Sequence, residues 1–343
     1  MNVIHLEKNI TSKKQEKQEE EFEINIRPHN FDEFVGQSLL KKNLKILIEA
    51  AKKRKEMPEH IILYGPAGLG KTTLAGIIAK NLQGKLKITS GPAIEKSGDI
   101  AALLTNLEQG DVLFIDEIHR LRTNLEEMLF SAMEDFAIDL MMGKGAGAKS
   151  MRLSLPPFTL IGATTKIGSL SSPLRDRFGF LGKLNLYENE EIEKISLRSA
   201  KILDIAIDQK ANQLLAKCSR KTPRITNRLI KRLRDFAHHK NSPKITLPIA
   251  QEALKNLGID EIGLDENDRK FLKTIIEKFA GGPVGLSTIS VALNEDKETI
   301  EELIEPFLIQ EGFLKRTSQG RVTCAKAFNY LNLPLPVNQK SLF

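Results

Sequence analysis

Gly65-Pro66-Ala67-Gly68-Leu69-Gly70-Lys71-Thr72 constrains this chain more than any other stretch, because it fits G-x-x-x-x-G-K-[ST]. It follows the apolar run His60-Ile61-Ile62-Leu63-Tyr64 and precedes Lys71 to Leu82, whose pattern is helical. A loop in that place leaves a buried strand, curls backbone N–H groups around an anion and ends at a helix N-terminus. Gly68 and Gly70 keep side chains out of the way, Lys71 reaches the β- and γ-phosphates, and the Thr72 hydroxyl holds Mg²⁺. A chance glycine turn would lack this flanking order. The strand–loop–helix context therefore predicts a nucleotide site in a layered α/β domain with a parallel sheet.

The second half of such a site is Val112-Leu113-Phe114-Ile115-Asp116-Glu117. Four apolar residues bury the strand and deliver Asp116 at its C-terminal end, where ligands bind in parallel sheets. Asp116 is expected to hold Mg²⁺ through water, and Glu117 to activate the attacking water. A third strand, Thr159 to Gly162, runs into Gly162-Ala163-Thr164-Thr165, where a threonine could touch the γ-phosphate or that water. Next comes Ser171-Ser172-Pro173-Leu174-Arg175-Asp176-Arg177-Phe178-Gly179. Its arginines cap a helix C-terminus or form an arginine finger that reaches a neighbouring subunit's phosphate.

A chain of 343 residues predicts two or three domains. Segment 1–21, dominated by Lys, Glu and Gln, reads as a disordered tail without the apolar core of a secretory signal. No run is long and apolar enough to span a membrane. Cys218 and Cys324 are far apart and lack metal-ligand spacing, which suggests reduced thiols in a cytoplasmic protein. A formal charge of +7 favours an anionic partner only mildly.

Along the chain, Phe22 to Phe34 reads as extended and loop-like, and Leu39 to Lys55 as a helix. Residues 22–187 form the expected α/β domain. Strand signal fades afterwards, and Glu190 to Leu203, Asp208 to Ser219 and Ile225 to His238 predict a small helical domain over 188–260. Thr222 suits the N-cap of the last of these helices and Pro223 its first position; Ile225, Leu229, Leu233 and Phe236 form its apolar stripe. Over 261–332 the pattern is Asn267 to Phe279, Ser287 to Leu293 and Asp296 to Gln310, the last broken by Pro306, then a hairpin pairing Phe313 to Arg316 with Arg321 to Cys324. Three helices and a β-wing describe a winged helix, followed by a tail over 333–343.

Several strings are more specific than the phosphate loop. They are Ile26-Arg27-Pro28 with Phe31-Asp32-Glu33-Phe34-Val35-Gly36-Gln37, Gly68-Leu69-Gly70-Lys71-Thr72-Thr73, Asp116-Glu117-Ile118-His119-Arg120, and Ser172-Pro173-Leu174-Arg175-Asp176-Arg177-Phe178-Gly179. Thr222-Pro223-Arg224-Ile225 with Asn227-Arg228, and Glu305-Pro306-Phe307-Leu308-Ile309-Gln310-Glu311-Gly312-Phe313-Leu314, join them. Over residues 22–332 the chain resembles the AAA+ ATPases, and within them the RuvB family of Holliday junction motors.

That resemblance implies Ile26 and Arg27 near the adenine, and Gly68, Gly70, Lys71, Thr72 and Thr73 on phosphates. Glu134, Asp135 and Phe136 would line the nucleotide pocket, Tyr187 would close on the nucleotide, Thr165 would be the first sensor, Arg177 a finger in trans and Arg224 the second sensor. It further implies ATP and Mg²⁺, a homohexamer, duplex and four-way-junction DNA, and the partners RuvA and RuvC. Asp139 to Leu155, with Gly143, Gly145 and Gly147, resembles the hairpin that docks on RuvA, though Lys149 departs from the pattern.

Charge refines the C-terminal domain. The helix that would read the major groove carries Asp296, Glu298, Glu301, Glu302 and Glu305, so phosphate repels it. Lys315, Arg316 and Arg321 lie on the wing instead, which predicts backbone contacts without sequence readout; the resemblance likewise places Arg316 and Arg321 on DNA. Two rivals remain: a clamp-loader-like switch, and a nucleotide-regulated adaptor that reads a DNA sequence.

Overall fold

The computed structural model describes residues 25–142 and 149–334. The expected tail 1–21, the hairpin glycines Gly143, Gly145 and Gly147, and most of segment 333–343 lie outside the described residues. Two compact units divide the chain, Met1–Tyr187 and Glu188–Phe343.

The first unit is built on a five-stranded parallel sheet. In chain order its elements are α1 (Ser38–Arg54), β1 (Ile61–Tyr64), α2 (Lys71–Leu82), β2 (Leu86–Ser90), α3 (Ser97–Thr105), β3 (Val112–Asp116), α4 (Thr123–Glu134), β4 (Ala137–Met142), β5 (Lys149–Ser154), β6 (Thr159–Thr164), α5 (Ser172–Asp176) and β7 (Phe180–Lys183). The strand order is β2-β3-β6-β1-β7, while β4 and β5 pair as a separate antiparallel hairpin. The central strands read as unbroken apolar runs because both faces are covered; every residue of β6 is buried. Ile62, Leu113, Ile115 and Leu160 meet Ile100 and Leu104 of α3 and Leu125 and Leu129 of α4 in one core. Each such side chain contributes about 1.5–3 kcal/mol on full burial.

Sequence periodicity does not reveal the edge strands β2 and β7. Both are short and half-exposed, and β7 contains Gly182, so neither carries a full apolar run. The N-terminal segment also differs from expectation. From residue 25 it is folded into turns rather than extended: Asn30 Oδ1 accepts from the backbone N–H groups of Asp32 at 3.0 Å and Glu33 at 2.9 Å.

His60, one residue before β1, is buried and neutral. Its Nδ1 accepts from Leu160 N–H at 2.9 Å, so Nε2 carries the hydrogen and donates to Met133 O at 3.1 Å. Burial pushes its pKa below the usual 6.5, against the pull of that carbonyl. A depressed histidine stabilises the fold above its unfolded pKa, and this contribution is lost as pH falls through the folded value. The melting temperature of the first unit should therefore fall as the pH is taken below about 6.5. In His60→Gln that acid-limb slope should be shallower, measured by thermal melts across the pH series.

The second unit opens with four helices, α6 (Asn189–Ile202), α7 (Gln209–Cys218), α8 (Pro223–His239) and α9 (Leu247–Asn256), tied by a two-residue parallel pair, β8 (Ala206–Ile207) with β9 (Lys244–Ile245). The buried stripe of α8 is Thr226, Leu229, Ile230, Leu233 and Ala237, with Ile225 and Phe236 only half-buried. The helix is thus turned relative to the stripe expected from Ile225 and Phe236, since α6, α7 and α9 all pack on it. Thr222 occupies the N-cap position but does not cap with its side chain; its Oγ1 donates back to Ser219 O at 3.3 Å.

The winged helix follows: α10 (Glu266–Phe279), α11 (Leu286–Leu293), then a third helix in three pieces, α12 (Lys297–Thr299), a π-turn (Ile300–Ile304) and α13 (Glu305–Gln310). Pro306 lies in the first turn of α13, where its missing N–H does least harm, and the π-turn before it absorbs the expected break. The wing pairs β10 (Leu314–Thr317) with β11 (Gly320–Thr323), and α14 (Ala325–Tyr330) closes the domain. Arg316 stands directly opposite Arg321.

Candidate active site

The phosphate loop hangs between two strand ends. Gly65 N–H donates to Thr164 O at 3.2 Å, and a Cβ on Gly65 would lie 2.4 Å from Leu184 O, so only glycine fits there. Gly68 at φ 78° and Gly70 at φ 99° take left-handed conformations that turn successive N–H groups inward as an anion nest. Phe34 supports the loop from beneath: a Cβ on Gly70 would meet its ring at 3.0 Å. From the other side, the buried Tyr187 hydroxyl donates to Leu69 O at 3.1 Å. Lys71 is only 7% exposed, and its ammonium donates to Gly65 O at 2.8 Å and Pro66 O at 3.0 Å. A cationic head inside a nest of N–H groups fits a polyphosphate.

Thr72 and Thr73 open α2 beside Lys71, and both are partly exposed. Asp116 ends β3, also partly exposed, and its Oδ1 accepts from Glu117 N–H at 3.0 Å. Glu117 then turns left-handed at φ 47°, unusual for a residue with a side chain, and starts a 3₁₀ turn over Ile118–Arg120. Its Oε2 lies 3.2 Å from His119 Nδ1 and accepts from Thr165 Oγ1 at 3.5 Å. Thr164, fully buried, places Oγ1 2.9 Å from the same His119 nitrogen. Thr165, Glu117 and Asp116 thus gather at the C-terminal end of the sheet, on the side from which the phosphate loop leaves. His119 and Thr164 both stand in strings the sequence singles out, but it gives neither a role of its own, since their meeting depends on β3 and β6 lying side by side.

The other expected residues divide. Ile26 is buried and Arg27 partly so. Glu134, Asp135 and Phe136 are not beside the phosphate loop of their own chain. Phe136 packs edge-on against Phe158 with ring centroids 5.9 Å apart, and lies 6.4 Å from His60. Phe158 and His60 precede β6 and β1, so this cluster sits at the N-terminal end of the sheet, about 16 Å of strand from the loop. Arg177 follows α5 at the same end and pairs with Glu134; Phe180 N–H, just beyond, donates to His60 O at 3.2 Å. Arg224 lies in the second unit, exposed in the first turn of α8.

On the wing, Arg316 and Arg321 converge on one carboxylate. Arg316 Nε donates to Glu305 Oε2 at 2.6 Å and Arg321 Nε to Glu305 Oε1 at 2.8 Å, while Arg321 also reaches Glu301 at 3.1 Å. Glu305 is fully buried, and the Arg321 side chain is 15% exposed against 47% for Arg316. The acidic helix thus faces the wing and orients its arginines.

Comparison with known proteins joins these pieces. Residues 26–184 match the family model of the Holliday junction DNA helicase RuvB P-loop domain, residues 187–260 the RuvB AAA lid domain and residues 261–332 the RuvB C-terminal winged helix domain. The solved structure of the Thermotoga maritima RuvB Holliday junction branch migration motor is 48% identical, with a TM-score of 0.84 over 91% of this chain and 100% of that one. A point mutant of the same protein gives 48% identity and a TM-score of 0.85 over 90% of this chain and 100% of that one. With its P-loop domain, helical lid and winged helix all accounted for, this chain belongs to the RuvB family of AAA+ ATPases.

Proposed function

We propose that the chain is an ATP-driven DNA translocase that drives branch migration of Holliday junctions, working as a homohexameric ring with RuvA, and with RuvC in the same complex, in cytoplasmic recombination and repair. One observation carries the ring. The phosphate loop and Arg177 occupy opposite ends of one sheet, which supports a role for Arg177, with Glu134, Asp135 and Phe136, at a neighbour's nucleotide. Identical copies placed head to tail complete each site, and such contacts form a ring when the rotation between copies closes.

In this reading Gly68, Gly70, Lys71, Thr72 and Thr73 hold the phosphates, with Ile26, Arg27 and Tyr187 at the base end. Among the described residues no group of three or more His, Cys, Asp or Glu side chains could hold a metal. Thr72 and Asp116 would therefore share Mg²⁺ with phosphate oxygens, and the ion supplies charge neutralisation when bound. Glu117 takes the proton of the attacking water, Thr165 orients that water, and Arg177 of the next subunit stabilises the charge developing on phosphate. Arg224 is the proposed second sensor. No helix among the described residues is long and apolar enough to cross a membrane.

The wing meets DNA through phosphate rather than bases, since acidic side chains occupy the third helix. Arg316→Ala should weaken binding to any duplex about equally and lower the salt-dependence slope by about 1, read from fluorescence anisotropy titrations at several salt concentrations. Arg321→Ala should first cost stability, because it leaves buried Glu305 with one partner fewer.

The deciding experiment is dissociation of a synthetic four-way junction with and without purified RuvA, with Lys71→Ala as the dead control. Unwinding that needs ATP and Lys71 and is stimulated by RuvA supports the motor. ATP hydrolysis without junction processing, where RuvA demonstrably binds the junction, would overturn it in favour of a clamp-loader-like switch. A footprint on one duplex sequence but not on scrambled DNA would favour the adaptor.

A further inference from the structure

Arg177 and Glu134 pair with each other, and both side chains are about half-exposed. A pair at the surface is worth little in energy and does not fix its own orientation. Its place is set by the backbone beneath, where Glu134 ends α4 and Arg177 caps the C-terminus of α5. Two elements far apart in sequence must therefore be held at a fixed separation.

One buried side chain reaches the base of both. His60 Nε2 donates to Met133 O at 3.1 Å, one residue before Glu134. That carbonyl is among the last four of α4, which the helix itself leaves without an N–H partner. His60 O accepts Phe180 N–H at 3.2 Å, three residues beyond Arg177. Glu59 stands against Gly179 so closely that a Cβ on Gly179 would meet Glu59 Cβ at 2.7 Å. The contacts close a circuit: His60 to Met133, Glu134 to Arg177, and Arg177 through Gly179 and Phe180 back to His60.

The imidazole is itself fixed. Its Nδ1 accepts Leu160 N–H at 2.9 Å, and the ring packs on Phe158 and Phe136 with centroids 5.6 Å and 6.4 Å away. Thr159 Oγ1 donates to Pro58 O at 3.2 Å, which ties the same segment to β6 a second time. An apolar residue of equal volume would fill the space but could not bridge Leu160 N–H to Met133 O. Nucleotide binding within the chain has no use for this bridge, since the phosphate loop begins at the other end of β1, about 16 Å of strand away.

We propose that His60 is a positioning residue for the part of the ATPase site that is supplied in trans: it fixes the end of α4 to the segment after α5 and so sets where Glu134 and Arg177 meet a neighbour's nucleotide. The proposal rests on the reading of Arg177 as a finger between subunits. His60 then acts in the subunit that supplies the finger, not in the one that binds the nucleotide. That direction separates it from a general support of the fold.

The test is ATP hydrolysis by the full chain, alone and in mixed rings, with ATP affinity measured in parallel. His60→Asn keeps an oxygen near Nδ1 for Leu160 N–H and removes the donor to Met133 O. It should lower kcat by about 10- to 100-fold with ATP affinity unchanged, since a misplacement of about 1 Å costs about 10²-fold. His60→Gln carries its amide to the Nε2 position and should regain most of the rate. Mixed with Lys71→Ala, the Asn variant should recover hydrolysis, because the Lys71→Ala chain brings a well-placed finger to the Asn variant's intact phosphate loop. Mixed with Arg177→Ala it should not, because neither chain then supplies such a finger. Should Asn prevent folding, Phe158→Leu loosens the imidazole from its other side and is expected to give the same pattern. Wild-type kcat in His60→Asn, recovery with Arg177→Ala, or none with Lys71→Ala overturns the proposal. Arg177→Ala mixed with Lys71→Ala is the control for the reading beneath it. If that pair fails to recover while the wild type is active, the finger in trans falls, and the role of His60 with it.

Discussion

Glu117→Gln should bind ATP as the wild type does and hydrolyse it about 10²–10⁴-fold more slowly, the range expected when a general base is removed. Glutamine has the size of glutamate and keeps an oxygen to accept from Thr165, so the strained turn at φ 47° and the neighbouring Asp116 are undisturbed. What it lacks is the basicity to take a proton from water. Equilibrium binding of a fluorescent ATP analogue and single-turnover hydrolysis separate the two effects. A variant that loses binding along with turnover would mean that Glu117 shapes the site rather than acting on water. Wild-type turnover would remove it from the mechanism altogether.

Arg177→Ala should lose about 10³–10⁵ in kcat while retaining nucleotide affinity, the loss expected for an arginine finger. It pairs with Glu134, and both side chains are about half-exposed, so breaking that pair costs less than about 1 kcal/mol of stability. The proposed action in trans gives a sharper readout. Arg177→Ala and Lys71→Ala chains are each expected to be inactive alone, but mixed rings contain interfaces with Lys71 from one chain and Arg177 from its neighbour. Mixing should therefore recover hydrolysis. No recovery from rings shown to contain both variants would contradict a finger acting between subunits.

The linear sequence is sufficient wherever function follows from neighbours along the chain. A strand, a glycine loop and Lys71-Thr72 at a helix start form a phosphate nest whatever surrounds them, and Asp116-Glu117 after four apolar residues reads equally well. The winged helix was legible too, because helices of 3.6-residue period and an alternating hairpin are local patterns; Pro306 even marks where the third helix breaks. Short half-exposed edges such as β2 and β7 carry no comparable signal, and the α8 stripe could not be resolved to one position because neighbouring helical faces overlap.

What only tertiary structure decided are the encounters between residues distant in sequence. The parallel order β2-β3-β6-β1-β7 puts every strand's C-terminus at one end, bringing Glu117 and His119 to Thr164 and Thr165. The same order sends Glu134, Phe136 and Arg177 to the opposite end with His60 and Phe158, and so separates Arg177 from its own chain's phosphate loop. On the wing, the register of Arg316 against Arg321 and the burial of Glu305 turn an acidic helix from a repellent of DNA into the support of two arginines. Hydrophobic periodicity specifies which face of an element is buried but not which element covers it. Strand order and register make that choice, and side chains from remote segments acquire their chemistry only once it is made.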